Sequence, residues 1–174
     1  MKKQSLAAAL AVALSLVPAL GSVRAATYSN GTSTTQFNVT LALQANCTIG
    51  ANPLNFGSNG VLSTAIEQQT TVSATCSNTT PYNVGLDAGS VTGSSVDARL
   101  LAGTSTGNTT TTVHFQLYQD AGHATVWGNT QGTNTVAGVG TGSTQSIPVY
   151  GEVAAQATPK PDTYQTTVTA TVYF

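Results

Sequence analysis

The side chains with the clearest chemical potential are Cys47 and Cys76, the only two cysteines in the chain. In an oxidising compartment an even pair of cysteines indicates a disulfide. Such a bond would close a loop of about 30 residues and contribute roughly 3–4 kcal/mol on the chain-entropy account. Two buried free thiols are the alternative. A metal site is disfavoured, because two cysteines without a nearby histidine cluster cannot complete a tetrahedral ligand set.

The groups needed for acid–base or nucleophilic catalysis are sparse. His114 lies between Val113 and Phe115 in an alternating stretch, which puts it on an outer face, and His123 follows a turn. The acidic residues stand singly in stretches that we interpret as loops, so no carboxylate pair suits glycoside chemistry. No sequence around a serine resembles a nucleophile elbow. We therefore expect solvated histidines, no enzymatic activity, no cofactor and no bound metal.

The compartment follows from the first 25 residues, which have the parts of a secretory signal. Lys2 and Lys3 give the positive start, and residues 6–16 form an apolar stretch too short to span a bilayer. Val23 and Ala25 then place small residues at the −3 and −1 positions of a cleavage site. We expect cleavage after Ala25 and export of residues 26–174.

Charge limits the partners of the exported part. After removal of the signal, Arg99 and Lys160 are its only basic residues against six acidic ones, so the net charge is −4. A surface of this sign is unsuited to a phosphate backbone, and we expect no nucleic acid partner. The 149 exported residues suit one domain with a hydrophobic core.

Strands must position these residues, because apolar side chains recur with period two along most of the exported chain. The alternation is strictest at 36–43, where Phe37, Val39, Leu41 and Leu43 share one face, and it returns at 164–174. Further short strands are predicted around Trp127 and at 53–57, 69–76, 82–86, 99–101, 111–119 and 146–153, while 131–143 indicates a long loop or a weak hairpin. Many short strands at this spacing indicate an all-β sandwich.

Several motifs together resemble the spore coat protein U family. They are Asn46-Cys47-Thr48-Ile49 followed by Leu54-Asn55-Phe56-Gly57, then Val72-Ser73-Ala74-Thr75-Cys76, Pro148-Val149-Tyr150-Gly151, and Pro161-Asp162-Thr163-Tyr164 before a last strand ending in Phe174. The resemblance covers essentially the whole exported chain. One departure is Asp162, where pilins of this family usually carry glycine, and we expect it to alter a turn rather than the function.

The resemblance implies a fold and a mechanism. The family includes pilins of archaic chaperone–usher pili, whose immunoglobulin-like β-sandwich is incomplete, lacking its final strand, and is completed by a donor strand. Residues 26–46 would then be the leader and donor strand, and residues 47–174 the sandwich domain. Phe37, Val39, Leu41 and Leu43 would be the donor side chains. Val168, Ala170, Val172 and Phe174 would line the groove and form the edge that a chaperone grips.

The function implied by the resemblance is that of a structural pilus subunit supporting surface adhesion and biofilm formation. Its expected partners are a periplasmic pilus chaperone, an outer-membrane usher and identical or related pilins, and its expected location is the cell surface, reached through the periplasm. The residues alone favour the alternative that 36–43 is the first strand of its own sandwich, and the resemblance reverses this preference. A spore-coat or surface-layer structural protein and a glycan-binding adhesin stay open as alternative functions.

Overall fold

The structure is a computed structural model, and it describes residues 30–174. The predicted signal peptide, residues 1–25, lies outside the described residues, as does the start of the leader. Within the described range no helix is long and apolar enough to cross a membrane. The strands of this range are β1 (Cys47–Ala51), β2 (Ile66–Cys76), β3 (Pro81–Leu86), β4 (Arg99–Gly103), β5 (Thr112–Tyr118), β6 (Val136–Val139), β7 (Thr144–Val153), β8 (Tyr164–Gln165) and β9 (Ala170–Tyr173).

The strands form two antiparallel sheets. The large sheet has the order β1-β2-β7-β5-β4-β8, and the small sheet has the order β6-β3-β9. In β5 the side chains of Val113, Phe115 and Leu117 are buried while His114 is exposed, which is the alternation that the sequence predicted. The inward faces of both sheets supply the hydrophobic core, with Val72 and Val149 from the large sheet and Val84 and Leu86 from the small one.

The predicted disulfide is confirmed, because Cys47 and Cys76 are bonded and free cysteines are absent from the described residues. The two cysteines are directly opposed partners at the ends of β1 and β2. The bond therefore fixes the first strand of the sandwich to the second at the point where the N-terminal segment ends. This strand, β1, was not predicted from the alternation.

Arg99 and Trp127 form a buried polar joint between the sheets, and neither side chain has accessible surface. The indole of Trp127 donates to the carbonyl of Val84 at 2.8 Å. All five guanidinium N–H groups of Arg99 have acceptors, which are the carbonyls of Leu86, Asp87, Val96 and Trp127 and the side-chain oxygen of Gln116. Burial lowers the pKa of Arg99 to about 10. A buried guanidinium is tolerable here because every donor is satisfied.

Two predicted strands are wrong. Residues 53–57 form no strand, because Pro53 lacks an N–H group and the N–H of Gly57 is taken by the Asn55 side chain at 2.8 Å, with Gly57 at a φ of 76°. Trp127 lies in a loop that touches β5 through one bridge, Tyr118 to Val126. The stretch 131–143, predicted as a loop or weak hairpin, contributes strand β6.

Candidate functional site

The sandwich contains a cavity of about 1,080 Å³ that reaches its hydrophobic core. Residues 51–60 form one wall of this cavity, and residues 158–168 form the other. Its floor consists of core side chains from both sheets, namely Val72, Leu86, Leu101, Val113, Phe115, Leu117, Val149 and Val153. We call this cavity the groove. A groove with an apolar floor is suited to apolar side chains rather than to a charged ligand.

The groove borders two strands that have an unpaired edge, because Ala51 at the end of β1 and Ala170 at the start of β9 are among its lining residues. In the described chain β1 pairs only with β2, and β9 pairs only with β3, so each has a free edge. Free edges carry unpaired N–H and C=O groups that can accept a further strand. The groove thus combines an apolar floor with backbone groups available for ladder hydrogen bonds.

The first wall is held by side-chain packing rather than by a ladder. Leu54 and Phe56 pack on the core, and the Phe56 ring meets Phe115 edge-on with centroids 6.4 Å apart. Leu54 and Phe56 fit here because residue 151 is glycine: a Cβ at this position would clash with Leu54 and press on Phe56. Leu54 and Phe56 were not predicted as site residues. The sequence feature that could have identified them is a pair of apolar side chains in a short stretch bounded by turn residues.

The second wall is anchored by the carboxylate of Asp162. It accepts hydrogen bonds from Asn108 Nδ2 at 2.6 Å, Ser105 Oγ at 2.7 Å and the N–H of Thr163 at 2.8 Å. The hydrogen bonds from Asn108 and Ser105 hold the pKa of Asp162 well below its usual range. The wall also meets the opposite segment, where Leu62 N donates to Thr158 Oγ1 at 2.9 Å. Asp162 therefore ties the turn before β8 to the loop after β4.

The end of the chain is less regular than predicted. The strand expected at 164–174 is interrupted between Gln165 and Ala170, because side chains capture its backbone N–H groups. Thr169 N donates to Asp87 Oδ1 at 2.9 Å, and Thr167 N donates to Ser90 Oγ at 3.2 Å. Burial would raise the pKa of Asp87, but hydrogen bonds from Thr169 and Gly89 and the charge of Arg99 lower it.

The proposed edge residues occupy different environments. Val168 and Ala170 line the groove. Val172 is half-buried, pairs with Val84 of β3 and packs against the core. Phe174 is 60% exposed and follows the last residue of β9.

The predicted donor side chains are the most exposed large hydrophobic residues described. Phe37, Val39, Leu41 and Leu43 are 81%, 82%, 83% and 87% exposed. Residues 36–43 form no strand and belong to neither sheet, so the alternative that they are the first strand of their own sandwich does not hold in this structure. The described part of the chain therefore supplies no strand partner for the period-two alternation of residues 36–43.

Two acidic residues and one histidine lie in environments that differ from those predicted. Glu67 and Glu152 are not loop residues, because they lie in β2 and β7 as directly opposed partners. His123 is not solvated: its side chain is only 16% exposed and lies between the two carboxylates. His114 is exposed as expected. The interpretation that the acidic residues stand singly in loops is therefore wrong for Glu67 and Glu152, which lie together beside His123.

Comparison with known proteins decides the family. A family model described as the Spore Coat Protein U domain matches residues 33–171, which is most of the chain. The chain belongs to the spore coat protein U domain family. The predicted resemblance is thus confirmed, and the matched range includes both the 36–43 segment and the groove. No curated protein sequence matches the chain.

Solved structures support the fold class of this spore coat protein U domain. One similar chain is in the crystal structure of the CsuC–CsuE chaperone–tip adhesion subunit pre-assembly complex from archaic chaperone–usher Csu pili of Acinetobacter baumannii. The TM-score is 0.51 at 21% identity, and the match covers 75% of this chain and 40% of that one. The all-β, immunoglobulin-like fold class is confirmed by this likeness. The present chain spans well under half the length of the matched chain.

Proposed function

We propose that this protein is a structural subunit of a surface pilus and that it polymerises by donor-strand exchange. The observation that carries the proposal is the open groove, whose floor is made of core side chains and which borders two strands that each have an unpaired edge. In the same chain, residues 36–43 present four large apolar side chains on alternate positions without a strand partner. The apolar floor of the groove is therefore complementary to the apolar face of residues 36–43.

The energetics favour this pairing. Burying a large aliphatic or aromatic side chain contributes about 1.5–3 kcal/mol, so four such residues contribute roughly 6–12 kcal/mol before ordering costs. Backbone hydrogen bonds to a free strand edge add to this. Eight residues in an extended strand span about 26 Å, and each copy has one such segment and one groove that could receive it. Each copy therefore donates to one neighbour and accepts from another, which produces a linear polymer.

A periplasmic chaperone is the partner expected before assembly. An unfilled groove with free edges is an aggregation hazard, and a temporary strand from a chaperone would cover it. We assign the contact to Val168, Ala170, Val172 and Phe174, near the groove and the free edge of β9. Phe174→Asp should abolish periplasmic accumulation, because the new charge would meet an apolar partner. Normal levels of a Phe174→Asp protein would contradict the chaperone contact.

Assembly through an outer-membrane usher would then place the homopolymer on the cell surface, where pili support adhesion and biofilm formation. The related structure with a chaperone and a tip subunit of Csu pili supports this route. The family description favours one second candidate, a spore-coat structural protein built from the same module. Neighbouring genes for a chaperone and an usher would support the pilus, and their absence would favour the coat.

The test is deletion of residues 26–43 behind an intact signal peptide. We expect the shortened subunit to accumulate folded in the periplasm, since its groove and disulfide are retained, but to be absent from surface polymers. Full-length protein from the same promoter is the control. If the deletion instead unfolds the subunit in the periplasm, the segment belongs to its own core and the mechanism is wrong.

A further inference from the structure

A second candidate site lies on the outer face of the large sheet, opposite the groove. Ile66 and Val153 line the groove, so their neighbours Glu67 and Glu152 point outward from β2 and β7. The two glutamates are directly opposed cross-strand partners. Like charges in this position destabilise a strand pair unless a cation lies between them.

The described chain offers almost nothing to offset these charges. Arg99 and Lys160 are its only lysine or arginine residues, and every N–H of Arg99 is engaged within the core. Among the described residues, the basic side chain that lies within 4.0 Å of both carboxylates is the imidazole of His123, which carries a charge only when protonated. Its Nδ1 atom lies 3.7 Å from Glu67 Oε1 and 3.9 Å from Glu152 Oε2.

The three potential ligand atoms are close to the geometry of a metal site. One atom from each of Glu67, His123 and Glu152 lies within 4.8 Å of the other two. Tetrahedral ligands at zinc bond lengths lie about 3.4 Å from each other. The ligand atoms must therefore move closer together by about an ångström. The Glu67 side chain can make this movement, because it is 63% exposed.

The surroundings hold the other two ligands in place. The Tyr118 ring packs against His123 at a tilt of 36° with centroids 4.8 Å apart, and the Tyr118 hydroxyl donates to Glu152 Oε2 at 3.2 Å. The turn carrying His123 is closed by Asp120, whose carboxylate accepts hydrogen bonds from the N–H groups of residues 122, 124 and 125. Outer contacts of this kind orient metal ligands and fix their affinity.

We propose that Glu67, His123 and Glu152 bind a divalent transition-metal cation of the zinc class, with water completing the coordination. One imidazole and two carboxylates suit zinc and its neighbours, whereas magnesium and calcium prefer oxygen ligands alone. The cation would neutralise the opposed glutamates and tie the loop of His123 to β2 and β7. The site lies on the other face of the sheet from the groove, so it stands or falls independently of donor-strand exchange.

The experiment is calorimetric titration of zinc into the full exported chain, purified without a histidine tag. We expect saturable binding with about one zinc per chain. His123→Gln and Glu152→Gln should each weaken binding at least tenfold, and Tyr118→Phe should weaken it about tenfold or more through loss of the outer contact. His114→Gln is the matched control, because His114 is an exposed histidine of the same sheet, and it should leave binding unchanged.

A further variant and a competing cation distinguish metal binding from a loss of folding. Glu67→Gln changes a mostly exposed side chain, so it should reduce zinc affinity while leaving the circular dichroism spectrum unchanged. Magnesium in excess should not displace zinc. Absence of saturable binding, or equal losses in His114→Gln and His123→Gln, would overturn the proposal and leave His123 as a side chain packed beside two carboxylates.

Discussion

Substituting Leu41 by aspartate probes the fit between the donor segment and the groove. A chain suited to equilibrium measurements would lack residues 26–43 at its start and carry residues 36–43 after Phe174, joined by a flexible linker. In this self-complemented chain the segment can enter the groove of its own sandwich. Leu41→Asp is then introduced in the appended segment alone.

The magnitude follows from the burial that the substitution removes. Leu41 is 83% exposed when the segment is unpaired, so docking would transfer nearly the whole side chain from water to the apolar floor. That transfer contributes about 1.5–3 kcal/mol, and an unpaired buried carboxylate costs several kcal/mol more. We expect the free energy of unfolding to fall by at least about 3 kcal/mol, which is more than a hundredfold in the equilibrium constant.

Urea unfolding followed by tryptophan fluorescence measures this change, because Trp127 is fully buried in the core. The matched control is Thr40→Asp, which places the same charge one residue earlier on the outward face of the docked strand. Its effect should stay within about 0.5 kcal/mol. If the two variants lose stability equally, side-chain alternation does not position the segment and the reasoning is refuted.

Three further predictions concern the framework around the groove. Unfolded, unreduced protein should show no free thiol, and two reactive thiols in the exported protein would contradict the disulfide. Replacing both Cys47 and Cys76 by serine should lower the free energy of unfolding of the self-complemented chain by about 3–4 kcal/mol. Arg99→Met should cost about 3–5 kcal/mol in urea unfolding, because five acceptors lose their donors, and a loss below 1 kcal/mol would refute the joint. The lowered pKa of Asp162 means that its stabilisation is complete above the ordinary aspartate value near 4 and is lost as pH falls through the folded-state pKa. Wild type should therefore exceed Asp162→Asn in thermal stability at pH 7, with the gap narrowing below about pH 4, and a constant gap would be inconsistent with this role.

Much of the sandwich could be predicted from side-chain alternation. The inward set of β5 and the strands near 69–76, 82–86 and 146–153 follow from period two, because one face of each strand is buried. The disulfide followed from the cysteine count and the signal peptide. These features depend on short stretches of sequence and can therefore be predicted from them.

The features that escaped prediction depend on contacts between distant residues. The last strand is interrupted because Asp87 and Ser90 capture backbone groups about 80 residues further along. Glu67 and Glu152 meet because of the pairing register of β2 and β7, which neither sequence segment encodes alone. Residues 36–43 show the converse case: their alternation is correct for a strand, but the described chain supplies no partner for it.

Inter-subunit cross-linking tests the central proposal most directly. Two differently tagged full-length chains are co-expressed, one with Leu41→Cys and the other with Ala170→Cys, and surface polymers are treated with a short thiol–thiol cross-linker. Because the two new cysteines are on different chains, a product carrying both tags can form only when the segment of one copy lies in the groove of another. We predict this mixed product, and a much weaker one when Thr40→Cys, on the outward face, replaces Leu41→Cys. Polymers that yield no mixed product, combined with an internal cross-link in a single chain carrying both substitutions, would contradict donor-strand exchange.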